Sequence, residues 1–172
     1  VLRYNEPAAP ARARSYEVAV MIRKMEEKDR AVFLKFSEMF YDSPAVAHSV
    51  PARYHEDAFS ELMRSDAYAE GFMIEADGKE VGFALTAKTY SRESGGMVLW
   101  LEELFILDGY RSRGLGREYF SFIEAYAREN GFARIRLEVE DANVRARALY
   151  ERLGYSPLEY GQMIKQLRGA SL

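Results

Sequence analysis

The chain has no cysteine, which removes a disulfide framework, a thiol nucleophile and a cysteine-ligated metal from consideration. Its two histidines, His48 and His55, are too few to hold a zinc ion unaided, so no metal site is expected. No apolar run approaches the roughly 20 residues of a membrane span, and the start of the chain lacks the apolar stretch of a secretory signal. Membrane insertion and secretion are both disfavoured, and a cytoplasmic protein is the expectation. The formal net charge is −3 and the basic residues form no long run, which argues against a nucleic-acid partner. Two common phosphate-binding strings are also missing: there is no G-x-x-x-x-G-K-[ST], and no G-x-G-x-x-G leading to an acidic residue after the next strand. P-loop and dinucleotide-binding enzymes are therefore disfavoured.

What is present fits one core. At 172 residues with 48% of them apolar, such a chain buries roughly 70% of its unfolded surface. Residues 1–16, rich in Ala and Pro, read as a flexible extension, and residues 17–172 as a single domain. Residues 17–23 alternate as a strand, and residues 26–40 follow as a helix with Val32, Phe36, Met39 and Phe40 on one face. A second helix over residues 55–64 turns Ala58, Phe59, Leu62 and Met63 inward. Phe72, Ile74 and Ala76 alternate on a strand that ends at Asp77-Gly78, a strong hairpin signal. Val81, Phe83 and Leu85 continue on the return strand. Residues 97–107 are too continuously apolar to face water and read as a central strand. Leu115, Tyr119, Phe122, Ile123 and Tyr126 then form the stripe of a helix lying on a sheet, stopped at Asn130-Gly131. Ile135, Leu137 and Val139 alternate with Arg134, Arg136 and Glu138 on a further strand. Asp141 is the expected cap of a last helix closed by Gly154, and residues 156–167 are expected to form one more hairpin. The pattern is a mixed α/β domain with a β-α-β unit at its centre.

The most informative stretch is Arg111-Ser112-Arg113-Gly114-Leu115-Gly116. Alone, the string reads as a basic loop with two turn glycines; between a buried strand and an amphipathic helix it falls on the turn that opens the helix. Gly114 and Gly116 let backbone approach a ligand closely, and the first N–H groups of a helix can donate to phosphate oxygens, aided by its dipole. Arg111, Arg113 and Arg117 add positive charge at the same point.

Two further constellations carry possible chemistry. Glu102 and Glu103 interrupt the central strand, one on each face by alternation. A carboxylate is costly to bury there, so one should face a cleft with a raised pKa, as a candidate general base. The other is N-x-x-A-x-x-L-Y-x-x-x-G-Y, formed by Asn143, Ala146, Leu149, Tyr150, Gly154 and Tyr155; by spacing alone Tyr150 is a core aromatic and Asn143 a first-turn polar residue.

A glutamate-bearing strand, the R-x-x-G-x-G turn and this second motif after one more strand together resemble the GNAT family of acyl-CoA N-acyltransferases, over residues 20–167. The stretch VGFALTAKTYSRESGGMVLWLEELFILDGYRSRGLG is most similar to the diamine acetyltransferase branch. The resemblance implies a mostly antiparallel sheet of six to seven strands with a splayed parallel pair and about four helices. It implies transfer of an acetyl group from acetyl-CoA, without a metal, directly to a primary amine of a small molecule. It leaves room for a protein or peptide acceptor, for a non-catalytic acyl-CoA-binding protein, and for a homodimer. By resemblance, the backbone of residues 111–117, Arg111, Ser112, Arg113, Gly114, Leu115, Gly116 and Arg117, holds the coenzyme pyrophosphate. The strand backbone at Leu104, Phe105 and Ile106 lies along the pantetheine arm, Asn143 touches the coenzyme, Glu102 is the base, and Tyr150 stands beside the sulfur. The chain departs from the family in two places. Ser112 replaces a usual glycine, which an ordinary backbone conformation would accommodate. The loop over residues 91–96 offers Arg92 and Glu93 in place of the acidic and tryptophan residues expected near a diamine.

Overall fold

The structure is a computed structural model and describes residues 19–43, 46, 49–141, 143–165 and 167, so the expected N-terminal extension lies outside the described residues. In chain order the elements are β1 (Val20–Lys24), α1 (Arg30–Tyr41), α2 (Arg53–Arg64), β2 (Ala69–Ala76), β3 (Lys79–Ser91), β4 (Gly96–Ile106), α3 (Leu115–Glu129), β5 (Arg134–Leu137) and α4 (Val144–Arg152). The strands form one sheet in the order β1-β2-β3-β4-β5, antiparallel except for the parallel β4–β5 pair. The sheet has five strands among the described residues, not the expected six to seven. Residues 156–165 form no strand: they contain Pro157, which cannot donate to a ladder, and lie exposed.

Local chemistry explains the elements. Asp77 and Gly78 both take positive φ, +52° and +73°, as the tightest hairpin turns require. Glu26 and Asp29 cap one another reciprocally across a single 3-10 turn, so α1 starts at Arg30, later than its apolar pattern predicts. The same Asp29 is buried and accepts two bonds from Arg23, at 2.7 and 2.8 Å, which ties β1 to the start of α1. That guanidinium holds the Asp29 carboxyl below its usual range. Gly131, at φ +72°, ends α3 as expected.

The sheet is buried on both faces. Met73, Phe83 and Phe105 pack with Phe33, Phe36 and Phe59 of α1 and α2. Phe72, Ile74, Val81 and Leu99 pack with Leu115, Tyr119, Phe120 and Ile123 of α3, and Tyr150 of α4 joins that cluster from outside. The strands carrying the two faces come close at Gly82, where a Cβ would lie 2.2 Å from the Phe105 carbonyl oxygen. A backbone oxygen in a paired strand cannot swing aside as a side chain can. Gly82→Ala should therefore destabilise the fold by about 1–3 kcal/mol in urea unfolding, whereas Gly109→Ala, whose Cβ meets nothing within 4 Å, should leave the midpoint nearly unchanged.

Candidate active site

The β4–β5 pairing is short. It runs from Val98 opposite Arg134 to Leu101 opposite Leu137, and β4 then continues through Glu102 to Ile106 with β3 on one side and no β5 partner on the other. At that same point the β3–β4 register slips: Leu85 lies opposite Glu103 and Thr86 opposite Leu101, leaving Glu102 as the extra residue of a β-bulge. The slip changes the phase of the strand. Leu101 and Leu104 both pack in the core beneath α3, whereas Phe105 packs against α1 and α2. Glu103 meets Tyr41 at the end of α1, whose hydroxyl donates to Glu103 Oε1 at 2.7 Å. Glu102 shares a cleft with Trp100, two residues before it. The alternation expectation of one carboxylate per face is thus corrected: the bulge brings both to the α1–α2 side.

The Glu102 cleft, about 520 Å³, is walled by Thr89, Tyr90, Ser91, Trp100, Arg136, Glu138 and Gln162. Trp100 is held by a bond from its Nε1 to Thr89 Oγ1 at 3.2 Å, and the Arg136 guanidinium lies 4.2 Å over its ring. Desolvation against these walls, and then repulsion from Glu138, push the Glu102 carboxyl above its usual pKa. Burial, reinforced by Glu102, pushes Glu103 up too, although the Tyr41 bond opposes this. Glu103 Oε2 is buried without a hydrogen-bond partner. A group that is both accessible and raised suits a general base; of the two, Glu102 is the exposed one.

The turn after β4 is built as a cradle. Ser112 and Gly114 take positive φ, +64° and +92°, and no side chain caps α3. Arg111, Ser112, Arg113 and Gly114 are exposed, while Leu115 plugs into the core and pins the helix start. The N–H groups of Leu115, Gly116 and Arg117 have no intrahelical partner by helix geometry and face a surface that a phosphate can occupy. Arg111 Nε donates to the Ile106 carbonyl at 2.8 Å on the open side of β4, and Arg113 stacks 5.1 Å over Tyr110. Ser112 does not have the ordinary backbone that would make it a neutral replacement for glycine. Its left-handed conformation costs a residue with a Cβ roughly 1–2 kcal/mol, and Arg145 of α4 donates to its Oγ at 2.7 Å. Gly114 and Gly116 both present open space at the position of a Cβ.

Asn143, not Asp141, caps α4: its Oδ1 accepts from Ala146 N at 3.2 Å, while Asp141 accepts from Arg147. Gly154 closes the helix at φ +89°. Tyr150 packs edge-on against Phe120, with centroids 5.4 Å apart, and lines a second cavity of about 740 Å³ beneath α4. Burial raises its hydroxyl pKa, so it stays protonated and able to donate at neutral pH. The Tyr150 and Glu102 cavities meet at Arg136 and Gln162, which stand in the walls of both. Side chains of Leu104, Phe105 and Ile106 are committed to the two cores, which leaves their backbone as what a ligand could touch. His55 is buried with Nδ1 2.7 Å from Ser37 Oγ and faces no cleft, and His48 lies outside the described residues. No cluster of metal-binding side chains occurs among the described residues. Tyr41, Trp100, Arg136, Glu138 and Arg145 were not anticipated at the site; only Trp100, the chain's single tryptophan, carried a signal of its own.

Residues 33–155 match the model of the acetyltransferase (GNAT) family, and the chain belongs to that family. Thialysine N-epsilon-acetyltransferase of Bos taurus is 26% identical over 152 residues, covering 81% of this chain and 85% of that protein. Streptothricin acetyltransferase of Streptomyces lavendulae is 34% identical over 92 residues, 53% of this chain and 47% of that protein. An uncharacterized N-acetyltransferase of Bacillus subtilis is 35% identical over 83 residues, 48% of this chain and 56% of its length, so the chain spans about half of these two relatives. Among solved structures, a possible acetyltransferase from Clostridium difficile superposes with a TM-score of 0.75 at 18% identity, over 87% of this chain and 98% of that one. An aminoglycoside N-acetyltransferase in complex with CoA gives 0.72 at 18% identity, over 88% and 97%.

Gly116 separates ligand approach from folding, because its backbone is helical and its Cβ would enter open space. Gly116→Val should keep the wild-type unfolding temperature within about 2 °C, as a surface change within ±0.5 kcal/mol does. It should also weaken acetyl-CoA binding in calorimetry by at least roughly tenfold. Equal affinity would place the phosphate elsewhere.

Proposed function

We propose that this chain is an acetyl-CoA-dependent N-acetyltransferase that moves the acetyl group directly to a primary amine of a small molecule. The observation that carries the reading is the coincidence, on one strand, of the bulged Glu102 and the end of the β4–β5 pairing, with an uncapped helix N-terminus one turn beyond the strand end. The fit to acetyl-CoA is physical: open space at Gly114 and Gly116, unpaired strand edge from Glu102 to Ile106, and positive charge at Arg111, Arg113 and Arg117. When bound there, acetyl-CoA supplies the activated acetyl group and a thiolate leaving group. The residues at 111–117 hold its pyrophosphate, and the backbone at Leu104, Phe105 and Ile106 lines the pantetheine arm. Asn143 serves α4 as a cap and contributes to the coenzyme through its position beside that helix start.

An alkyl amine of pKa about 10.4 is protonated at pH 7, and exposing its lone pair costs about 4 to 5 kcal/mol. Glu102, with its carboxyl pKa raised by the cleft, accepts that proton. Glu138 in the same wall draws a cationic acceptor toward it. Tyr150 donates its proton to the leaving sulfur, whose thiol pKa is about 8.5. Relatives that act on thialysine, streptothricin and aminoglycosides support an amine acceptor of low molecular weight.

The base must be deprotonated to act, so the rate with an amine acceptor falls as pH drops through the raised Glu102 pKa. That ionisation should vanish from the kcat/KM profile of Glu102→Gln and persist in Glu103→Gln; the opposite pattern would make Glu103 the base. Separately, Tyr150→Phe should lower kcat by roughly ten- to a thousand-fold with coenzyme affinity nearly intact. Full activity of the Phe variant would reduce Tyr150 to a core aromatic.

A further inference from the structure

Arg145 lies in the first turn of α4, 33 residues from Ser112, yet its Nη2 donates to the Ser112 hydroxyl at 2.7 Å. The bond brings the starts of α3 and α4 to one place, two helix ends that each present partial positive charge. The other arginines around the turn are engaged locally: Arg111 with the Ile106 carbonyl and Asp108, Arg113 with the Tyr110 ring. Arg147, on the next turn of α4, is paired with Asp141. Arg145 differs, because among the described residues its only partner is a neutral hydroxyl and no carboxylate offsets its charge.

Resting on the acyl-CoA reading above, we propose that Arg145 is a second phosphate-binding residue of that site, supplied by α4 and not by the glycine turn. A guanidinium on a serine hydroxyl exchanges that partner for a phosphate oxygen with a gain, since charge-assisted bonds are about twice as strong as those to neutral groups. The planar fork also suits two oxygens of one phosphate. The same contact accounts for Ser112. At φ +64° a glycine would cost least, but only a residue with a hydroxyl both occupies the turn and orients Arg145 over it. Coenzyme A offers phosphate oxygens from two sources, the pyrophosphate and the ribose 3′-phosphate, and either presents the chemistry that Arg145 recognises.

The test is calorimetric binding of acetyl-CoA and of 3′-dephospho-CoA to the full chain, as wild type, Arg145→Ala, Arg145→Lys and, as a remote control, Arg64→Ala. Arg145→Ala should weaken acetyl-CoA binding by roughly ten- to a hundredfold, Arg145→Lys should keep part of the affinity, and Arg64→Ala should match wild type. An equal loss with 3′-dephospho-CoA assigns Arg145 to the pyrophosphate; a loss seen only with the 3′-phosphorylated ligand assigns it to that group. Wild-type affinity in Arg145→Ala for both ligands overturns the proposal. So does equal weakening in the Ala and Lys variants accompanied by a lowered unfolding temperature, which would make Arg145 a structural clasp. A wild-type chain that binds neither ligand overturns the acyl-CoA reading itself, and this assignment with it.

Discussion

The site depends on one irregularity, the extra residue that β4 carries at Glu102. A strand with unbroken alternation would place Glu103 on the face of Leu101, in the apolar core beneath α3, where a carboxylate would lose its hydration for nothing. The bulge shifts the phase by one residue, so Glu103 finds Tyr41 and Phe105 finds the aromatic cluster of α1 and α2. It also bends the strand where β5 stops pairing. One inserted residue thus turns both acids toward the side where a cleft forms and leaves a free strand edge next to it.

The charges of the two ends of β4 are opposite. Around its start of divergence stand Glu102, Glu103 and Glu138, each a carboxylate whose neighbours include another carboxylate. Beyond its end stand Arg111, Arg113, Arg117 and Arg145 around two helix starts. A molecule that is anionic at one end and meets a cationic partner at the other is oriented by this field before any close contact forms. The raised carboxyl pKa follows from the same crowding: each acid makes ionisation of its neighbour harder, which moves a carboxylate toward the range where it can exchange a proton near neutral pH.

Much of this was legible in the residues, and the misses share a cause. The β4-turn-α3 unit, the Asp77-Gly78 hairpin and the stop at Asn130-Gly131 follow from local rules of periodicity and glycine backbone freedom, and they hold. Glu102, Tyr150, Asn143 and the turn lie around two adjoining cavities and the strand edge near them, as the family resemblance implied. The bulge was invisible because a register slip is a relation between two strands, and no property of LEEL alone marks it. Phe120 escaped the α3 stripe for a similar reason. It faces Tyr150 and Tyr155 of a helix and loop 30 residues on, so α3 buries a wider arc than its sheet contact alone requires. Asp141 and Asn143 are equally good caps by composition, and the choice between them is made by the Arg147 pairing that takes Asp141.

The two halves of the site differ in what they are made of, and this bears on how one fold serves many amines. Coenzyme recognition rests on backbone N–H groups, left-handed turn residues and a strand edge, features that tolerate almost any side-chain change except at Gly114 and its neighbours. Acceptor recognition rests on side chains: Trp100 over Arg136, Glu102 beside Glu138, Tyr90 and Gln162 at the rim. Substituting the latter changes the cleft without touching the helix start or the sheet ladder. The burden of stability falls on residues outside both, the paired aromatic clusters on the two faces of the sheet and the Arg23–Asp29 tie between β1 and α1. Separating these duties lets the acceptor wall vary at little cost to folding, while the bulge that aims Glu102 stays under the control of the β3–β4 ladder and not of the cleft it serves.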